Sequence, residues 1–186
     1  MAMLITGLVL FCGGHLLASL MPAQREALRA RLGKNGYRGV FSLLVGTGLA
    51  LIIFGWRSSQ PGFVYLPVAE LKHPAMLLVV LAFLLFVTSS RYSRLCRMVR
   101  HPQLTGVLLW AVAHLLLNGD SRSVLLFGSL GAWALVEMFT INRREGAWVK
   151  RDPPGWGAEL VTLIIALVAV AAVVFVHPWI AGMPAR

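Results

Sequence analysis

Six long stretches of mainly apolar residues limit what this chain can fold into. Each approaches the length of roughly 20 residues that a helix needs to cross a bilayer core about 30 Å thick. Inside lipid the backbone must satisfy its own hydrogen bonds, and a helix does so within a single segment. The sequence therefore predicts an all-α integral membrane protein, a bundle of six helices. The predicted spans cover residues 2–21, 39–56, 74–90, 102–117, 123–141 and 159–179.

Composition agrees with a membrane protein and excludes a water-soluble domain. Hydrophobic residues make up 58% of the 186 residues and charged residues 13%, and the mean hydropathy is +0.77. An average soluble domain is about 45–50% apolar and about 25% charged. The expected surroundings of the chain are therefore a lipid bilayer.

The basic residues alternate from loop to loop and predict the topology. The chain has a net charge of +10, and 13 of its 17 Lys and Arg residues follow spans one, three and five. Short loops rich in Lys and Arg stay in the cytoplasm, so both termini are expected on the non-cytoplasmic side and no nucleic-acid partner is expected. The 13 residues are Arg25, Arg29, Arg31, Lys34, Arg38, Arg91, Arg94, Arg97, Arg100, Arg143, Arg144, Lys150 and Arg151, and the other four are Arg57, Lys72, Arg122 and Arg186.

The short connections between spans predict a single transmembrane domain over residues 1–186. Gly46 with Ala50, and Gly128 with Ala132, have the small-xxx-small spacing that lets membrane helices approach closely. We expect these pairs to lie where helices pack within the chain, with a homo-oligomer interface as the alternative.

Two of the five histidines lie well inside apolar spans. Three histidines precede a proline at a span boundary, where water can form hydrogen bonds with an imidazole: His73, His101 and His177. The two internal histidines are His15 and His114. Ionisable groups inside a membrane are costly and point to function by default. A neutral imidazole can bind a metal or carry a proton, and a hydrogen bond between helices is the structural alternative.

Span four carries a polar stripe around its histidine. At about 100° per residue the stripe spans roughly 120° of arc, and it must face protein, a cofactor or a cavity because buried amide and imidazole groups need partners. Its members are Gln103, Gly106, Trp110, His114 and Asn118. Span one repeats the pattern over a shorter length with Cys12, His15 and Ser19.

Span five and the turn before it supply further polar residues. Trp133, Glu137 and Thr140 share one side of the span. Glu137 is expected either to extend toward Arg143 or Arg144 at the membrane surface, or to handle protons or pair with a histidine. The run 118–121 is typical of a tight turn, in which Asp120 is expected to cap span five.

A set of motifs in this chain closely resembles the NnrU family, most strongly over residues 5–145, with the sixth span as an addition. The motifs are Arg100-His101-Pro102-Gln103-Leu104-Thr105-Gly106, Trp110, Ala113-His114-Leu115-Leu116, Asn118-Gly119-Asp120, Phe11 with His15, Gly36-Tyr37-Arg38, Phe127-Gly128-Ser129, Trp133 and Arg143-Arg144. The resemblance implies a multi-pass protein of the bacterial inner membrane, linked to nitrite and nitric oxide metabolism in denitrification.

The same domain resembles the plant 15-cis-zeta-carotene isomerase, a membrane enzyme that uses haem b held by histidines. That resemblance implies haem b here, with His15 and His114 as the iron ligands; Ala111 stands where the isomerase has a cysteine. Helix rise places the two histidines about 10 Å apart in depth. Helix tilt or a span one that continues past Pro22 would close this gap; otherwise His101 is the alternative iron ligand beside His15, or the site is not a bis-histidine haem. Trp110, Gly106 and Trp133 are then expected to line the macrocycle, and the residues expected to orient the ligands or a propionate are His101, Gln103, Asn118, Asp120, Glu137 and Cys12.

Three functions follow as hypotheses, and no catalytic residue is assigned for any of them. The first is a haem-binding membrane protein of nitrite or nitric oxide metabolism. The second is a haem-dependent cis–trans isomerase of a lipid-soluble polyene such as 15-cis-zeta-carotene. The third is a non-catalytic subunit that assists the assembly of nitric oxide or nitrite reductase components.

Overall fold

The computed structural model describes residues 1–150 and 152–182, and within them the chain is all-α, as predicted. Apart from two short 3-10 turns and one isolated bridge between Phe63 and Asp120, the described residues outside the helices are irregular. Arg151 and Arg186, two of the charges used for the topology prediction, lie outside the described residues. The helices are α1 Ala2–Leu20, α2 Pro22–Ser58, α3 Lys72–Ser90, α4 Pro102–Leu117, α5 Ser121–Glu145 and α6 Trp156–Ala181.

Five of these helices are long and apolar enough to cross a membrane. The exception is α4, which has 16 residues and at 1.5 Å per residue reaches only about 24 Å, short of a hydrocarbon core about 30 Å thick. A membrane protein is thus supported by the structure. The sixth span and the orientation of the termini stay predictions.

Contacts divide the chain into two compact units, Met1–Gly62 and Phe63–Arg186. Unit 1 contains α1 and α2. Unit 2 contains α3 to α6, in which α3 packs against α4 and α6, and α4 also packs against α5. A single domain over residues 1–186 stays a prediction.

The segment 22–38, predicted as a loop, is helical, and that part of the prediction is wrong. α2 begins at Pro22, and Gly33, with φ +70° and ψ 170°, breaks it. Pro suits the first position of a helix, and the Ala, Arg, Glu, Gln and Leu residues that follow favour helix without an apolar run to reveal it. Gly33 suits the break because glycine adopts positive φ without steric strain.

Glycines bring the backbones of α1 and α2 into direct contact in unit 1. A Cβ on Gly7 would lie 2.6 Å from the Ile52 amide nitrogen, and a Cβ on Gly48 would lie 2.8 Å from the Phe11 amide nitrogen. Gly55 meets the backbone of Leu4 in the same way. We call Gly7, Gly48 and Gly55 the glycine seam.

Gly46 and Gly128 do not pack against a neighbouring helix of their own unit, so the packing role predicted for them is wrong there. Within each unit, no atom of another described helix lies within 4 Å of the position that a Cβ would take on either glycine. The buried residues of α2 are Gly48, Ile52 and Gly55, so the face of α2 that packs on α1 passes through Gly48 and not Gly46. The small-xxx-small spacing identified a helix that packs closely but selected the wrong face.

Arg94 lies in the short 3-10 turn after α3 and bonds this turn to the start of α6 in unit 2. Its backbone amide donates to the Glu159 carboxylate at 2.7 Å, and its guanidinium lies 4.1 Å from the centre of the Trp156 ring. The guanidinium also donates to the Pro154 carbonyl at 3.4 Å. These contacts fix the cytoplasmic end predicted for α6.

The loop before α3 is fastened to the turn between α4 and α5. The backbone amides of Val64 and Tyr65 both donate to the Gly119 carbonyl, at 2.9 and 3.0 Å. The Tyr65 hydroxyl reaches the carbonyls of Leu115 and Asn118, the latter at 2.9 Å. We call these contacts the Tyr65 latch, and they hold the last turn of α4 in place.

Candidate functional site

His114, near the end of α4, is held in one tautomer by its own helix. Its Nδ1 lies 2.8 Å from the Trp110 carbonyl oxygen. Because a carbonyl oxygen only accepts hydrogen bonds, Nδ1 donates and carries the proton of the neutral ring. The lone pair then belongs to Nε2, the nitrogen that a metal would bind.

Aromatic rings enclose this imidazole. The His114 ring is stacked on Phe127 of α5, with 4.3 Å between ring centres and 27° between planes. The Trp110 ring is 4.8 Å away from the His114 ring and meets Phe127 edge to face at 4.9 Å. His114 therefore packs against aromatic rings where α4 meets α5.

The turn after α4 supports the His114 site. The Asn118 amide and its side-chain Nδ2 both donate to the His114 carbonyl at 2.9 Å. Asp120 caps α5, because its Oδ1 accepts from the amides of Arg122 and Ser123 at 3.1 Å. The predicted cap is confirmed, and residues 118–120 form the short connection between α4 and α5.

The electrostatics of this turn act on the Tyr65 latch. Burial, and to a lesser extent the negative charge of Asp120, raise the pKa of Tyr65 above its usual value. The hydroxyl thus keeps the proton that it donates to a carbonyl at the end of α4. The latch was not foreseen from the sequence.

His15 of α1 has the same local arrangement in unit 1. Its Nδ1 lies 2.7 Å from the Phe11 carbonyl oxygen, so Nδ1 donates here too. The Phe11 ring lies 4.8 Å from the imidazole, and Phe41 of α2 meets the imidazole edge to face at 5.3 Å. Tyr37 stacks on Phe41 at 6.1 Å and extends the cluster.

The two histidines thus share a pattern that the sequence reasoning missed. In each, an aromatic residue four positions earlier supplies both the carbonyl acceptor and a ring contact, and a second aromatic ring comes from the adjacent helix. The first part could have been found in the sequence as Phe11-x-x-x-His15 and Trp110-x-x-x-His114. The second rings, Phe41 and Phe127, could not, because they depend on which helices pack together.

The other predicted residues of the span-four stripe do not all face His114. Gly106 packs against α3, where a Cβ would lie 2.7 Å from the Phe86 ring, so close packing accounts for this glycine. Gln103 is exposed. Trp133 of α5 and Cys12 of α1 are half-buried, and their roles beside a haem stay predictions.

Glu137 is buried, and its predicted extension toward Arg143 or Arg144 is wrong. Its exposed fraction is 5%, and its Oε1 has no hydrogen-bond partner among the described residues. It shares the buried face of α5 with Phe127, Gly131 and Ala134. The alternatives, proton handling or pairing with a histidine, stay predictions.

His101, the alternative iron ligand, lies at the opposite end of α4 from His114. It occupies the N-cap position, and its Nε2 donates to Asn142 Oδ1 at 2.8 Å. Thirteen residues of helix separate the two imidazoles, which at 1.5 Å per residue is about 20 Å. Within unit 2 the two histidines are therefore not brought together.

The amino-acid sequence matches a known protein family over nearly its whole length. A family model described as NnrU protein matches residues 3–185, nearly the whole chain. No curated protein matches it. No solved structure matches it.

Proposed function

The chain belongs to the NnrU family, and we propose that it is a membrane protein that binds haem b with His15 and His114 as iron ligands. The single observation that carries this proposal is that the two imidazoles are held in the same way by their own helices. Both hold the Nδ1 proton against a backbone carbonyl and lie among aromatic rings.

The donor set fits haem. Porphyrin supplies four ligands to the iron, so only one or two side chains are required, and histidine is a frequent one. A ligating histidine usually donates its other ring N–H to a carbonyl or carboxylate, which fixes the ring orientation and makes the ligand more basic. The Phe11 and Trp110 carbonyls do this for His15 and His114.

The surrounding residues would orient and shield the group. Haem b would supply a redox-active iron, which His15 and His114 would hold. Phe41 and Phe127 would fix the imidazole planes through ring contacts, and Asn118 would hold the backbone of His114. The aromatic rings would also limit the access of water to the iron, and the access of water affects the reduction potential of an iron site.

Absorption spectroscopy tests the proposal. Protein expressed with ample haem and purified in detergent is expected to show a Soret band, which His114→Ala and His15→Ala weaken or shift. His73→Ala, a change of the same type at an exposed boundary position, is the matched control and is expected to leave the spectrum unchanged. A wild-type protein without a Soret band overturns the proposal.

The physiological setting that we propose is nitrite and nitric oxide metabolism in the bacterial inner membrane, either directly or as an assembly subunit for the reductases. Family membership supports it. Deletion of the protein is expected to lower nitrite or nitric oxide reductase activity under denitrifying conditions, with recovery on complementation by wild-type protein. Normal reductase activity and assembly in the deletion strain would remove this role.

Isomerisation of a lipid-soluble polyene is the alternative function, favoured by the likeness of His15 and His114 to the isomerase histidines. It predicts that this chain replaces 15-cis-zeta-carotene isomerase in a carotenoid-producing bacterium, and that His114→Ala does not. Failure of the wild-type chain to convert the cis-polyene under reducing conditions argues against an isomerase while leaving haem binding intact.

A further inference from the structure

A shallow cleft of about 270 Å³ opens at the predicted cytoplasmic end of unit 2, away from the His114 site. It lies between the N-terminus of α4 and the segment that follows α5. Its walls are formed by Arg100, His101, Glu145, Ala147, Trp148 and Val149.

The walls of the cleft carry one guanidinium and one carboxylate, and cations beside the cleft give this region an excess of positive charge. The Arg100 side chain is 20% exposed, and its guanidinium lies 4.0 Å from the Glu145 carboxylate, beyond hydrogen-bond distance. The same carboxylate lies 3.6 Å from the Arg144 guanidinium. One carboxylate thus faces two guanidinium groups, and Lys150, whose ammonium lies over the Trp148 ring at 4.8 Å, adds a further cation nearby.

The position of the cleft matches the headgroup layer of a bilayer. The apolar part of α5 ends at Ile141 and α4 begins at Pro102, so Arg100, His101 and residues 142–150 lie just outside the apolar parts of these two helices. Trp148 on the cleft wall is the residue type enriched at this depth. Among the described residues no side chain caps the N-terminus of α4, so the positive end of its dipole also favours an anion.

We propose that this cleft binds the phosphate group of an anionic membrane lipid. A planar guanidinium can donate two parallel hydrogen bonds to phosphate oxygens, so Arg100 would exchange its distant contact with Glu145 for a close one. His101, held by Asn142 at 2.8 Å, would form the opposite wall. Basic pockets between helices on the cytoplasmic side are general sites for such headgroups, and the site does not depend on haem.

Lipid titration of the full chain tests this site. The protein, in micelles of an uncharged detergent, is titrated with phosphatidylglycerol, and bound lipid is counted by native mass spectrometry. Arg100→Gln is expected to weaken binding about fivefold, the equivalent of roughly 1 kcal/mol for one surface Arg. Arg31→Gln removes the same charge from an exposed position of α2 and is expected to change binding less than about twofold by the same argument.

Two further measurements separate the possible outcomes. Arg100→Lys keeps the charge but loses the two-pronged geometry, and it is expected to fall between wild type and Arg100→Gln. Equal effects of Arg100→Gln and Arg31→Gln would show nonspecific charge attraction and overturn the site. Complete displacement of the lipid by inorganic phosphate at the same concentration would show a site for free phosphate and overturn the lipid assignment.

Discussion

At the scale of single residues, hydrogen bonds to backbone carbonyls decide what the polar side chains in and beside the helices can do. The Phe11 and Trp110 carbonyls place the proton of each membrane histidine on Nδ1. The Tyr65 hydroxyl, in turn, donates to the Asn118 carbonyl at the end of α4. Because these acceptors belong to the backbone, they stay in place when neighbouring side chains are changed, and single substitutions can test each contact.

Tyr65→Phe is expected to lower stability at neutral pH by about 1 kcal/mol, the net value of a typical hydrogen bond. The pKa of Tyr65 is raised in the folded protein, so above about pH 10, the usual pKa of tyrosine, the unfolded state loses its proton first. Folding stability supplied by Tyr65 is therefore complete below that pH and declines as pH rises through the folded-state pKa. Thermal unfolding in detergent across this range measures the decline.

Tyr65→Phe should lack the part of the stability loss at alkaline pH that comes from the Tyr65 hydroxyl. Tyr37→Phe in unit 1 is the matched control and should still show that loss of stability. An alkaline decline of the same size in Tyr65→Phe and wild type would show that other groups cause it.

Asp120→Ala is expected to destabilise the protein by about 1 kcal/mol, because the amides of Arg122 and Ser123 lose their acceptor at the start of α5. Asp120→Asn keeps a capping oxygen and should stay near wild type. Thermal midpoints measured in the same detergent compare the two. Equal losses in both variants would assign the effect to the charge of Asp120, which lies 3.5 Å from Arg122.

Part of the site can be predicted from the sequence at this scale. Depth within the apolar spans separated His15 and His114 from the other histidines, and turn chemistry identified Asp120 as a cap. The prediction that Glu137 extends to the membrane surface is wrong. It rests on the short distance of Glu137 from the end of its span, whereas the packing of α5 on α4 buries the side chain. Phe41, Phe127 and Tyr65 come from segments far along the chain, so only the fold could place them.

At the scale of helices, the glycine seam sets how closely α1 and α2 pack. Three positions of direct backbone contact, at Gly7, Gly48 and Gly55, lie along it. Close contact of small residues is a main source of helix association in lipid, where no hydrophobic difference drives helices together. The seam also places Phe41 of α2 against His15 of α1.

Gly48→Ala is expected to destabilise unit 1 by about 1–3 kcal/mol, the range for overpacking a tight contact. The new methyl group would meet the Phe11 backbone at 2.8 Å, and backbone cannot yield as a flexible side chain does. Gly46→Ala, two positions away and open on its side, is the matched control. It should be neutral or stabilising by up to about 1 kcal/mol through helix propensity.

Unfolding of both variants in detergent with increasing sodium dodecyl sulfate gives the comparison. A Gly48→Ala protein as stable as Gly46→Ala would contradict the seam. The optical spectrum of Gly48→Ala reports in addition whether the contact between His15 and Phe41 matters to a bound chromophore.

Hydropathy predicts the positions of the helices well, but it does not predict which face of a helix packs against its neighbour. The predicted spans at 102–117 and 74–90 agree with α4 and α3 within two residues, because an apolar run bounded by Pro and polar residues marks both ends. The first part of α2 escaped detection because its helix-forming residues are polar. The spacing of small residues does not indicate which helix face packs against a neighbour. It therefore predicts contact at Gly46, whereas the contact is at Gly48.

At the scale of the whole molecule, the length of α4 decides the topology. Six spans place both termini on one side of the membrane, as the distribution of Lys and Arg predicts, whereas five spans place them on opposite sides. Since α4 has 16 residues, it can span only if the bilayer thins or its flanking residues extend it.

Fusions to the C-terminus distinguish the two topologies. A fused alkaline phosphatase, active only outside the cytoplasm, is expected to be active, and a fused green fluorescent protein exported in the unfolded state is expected to be dark. The same reporters inserted after Arg97, in the predicted cytoplasmic loop, should give the reverse pattern. A fluorescent C-terminal fusion would contradict six spans.

The glycine seam also has a consequence for biogenesis. All of its contacts join residues within Met1–Gly62, so none of them waits for α3 to α6. During synthesis, N-terminal units generally fold before later ones are made, and the α1–α2 hairpin can close while the ribosome is still translating unit 2. A defect in the seam would then act on the nascent chain at the insertion machinery, before His114 has been synthesised.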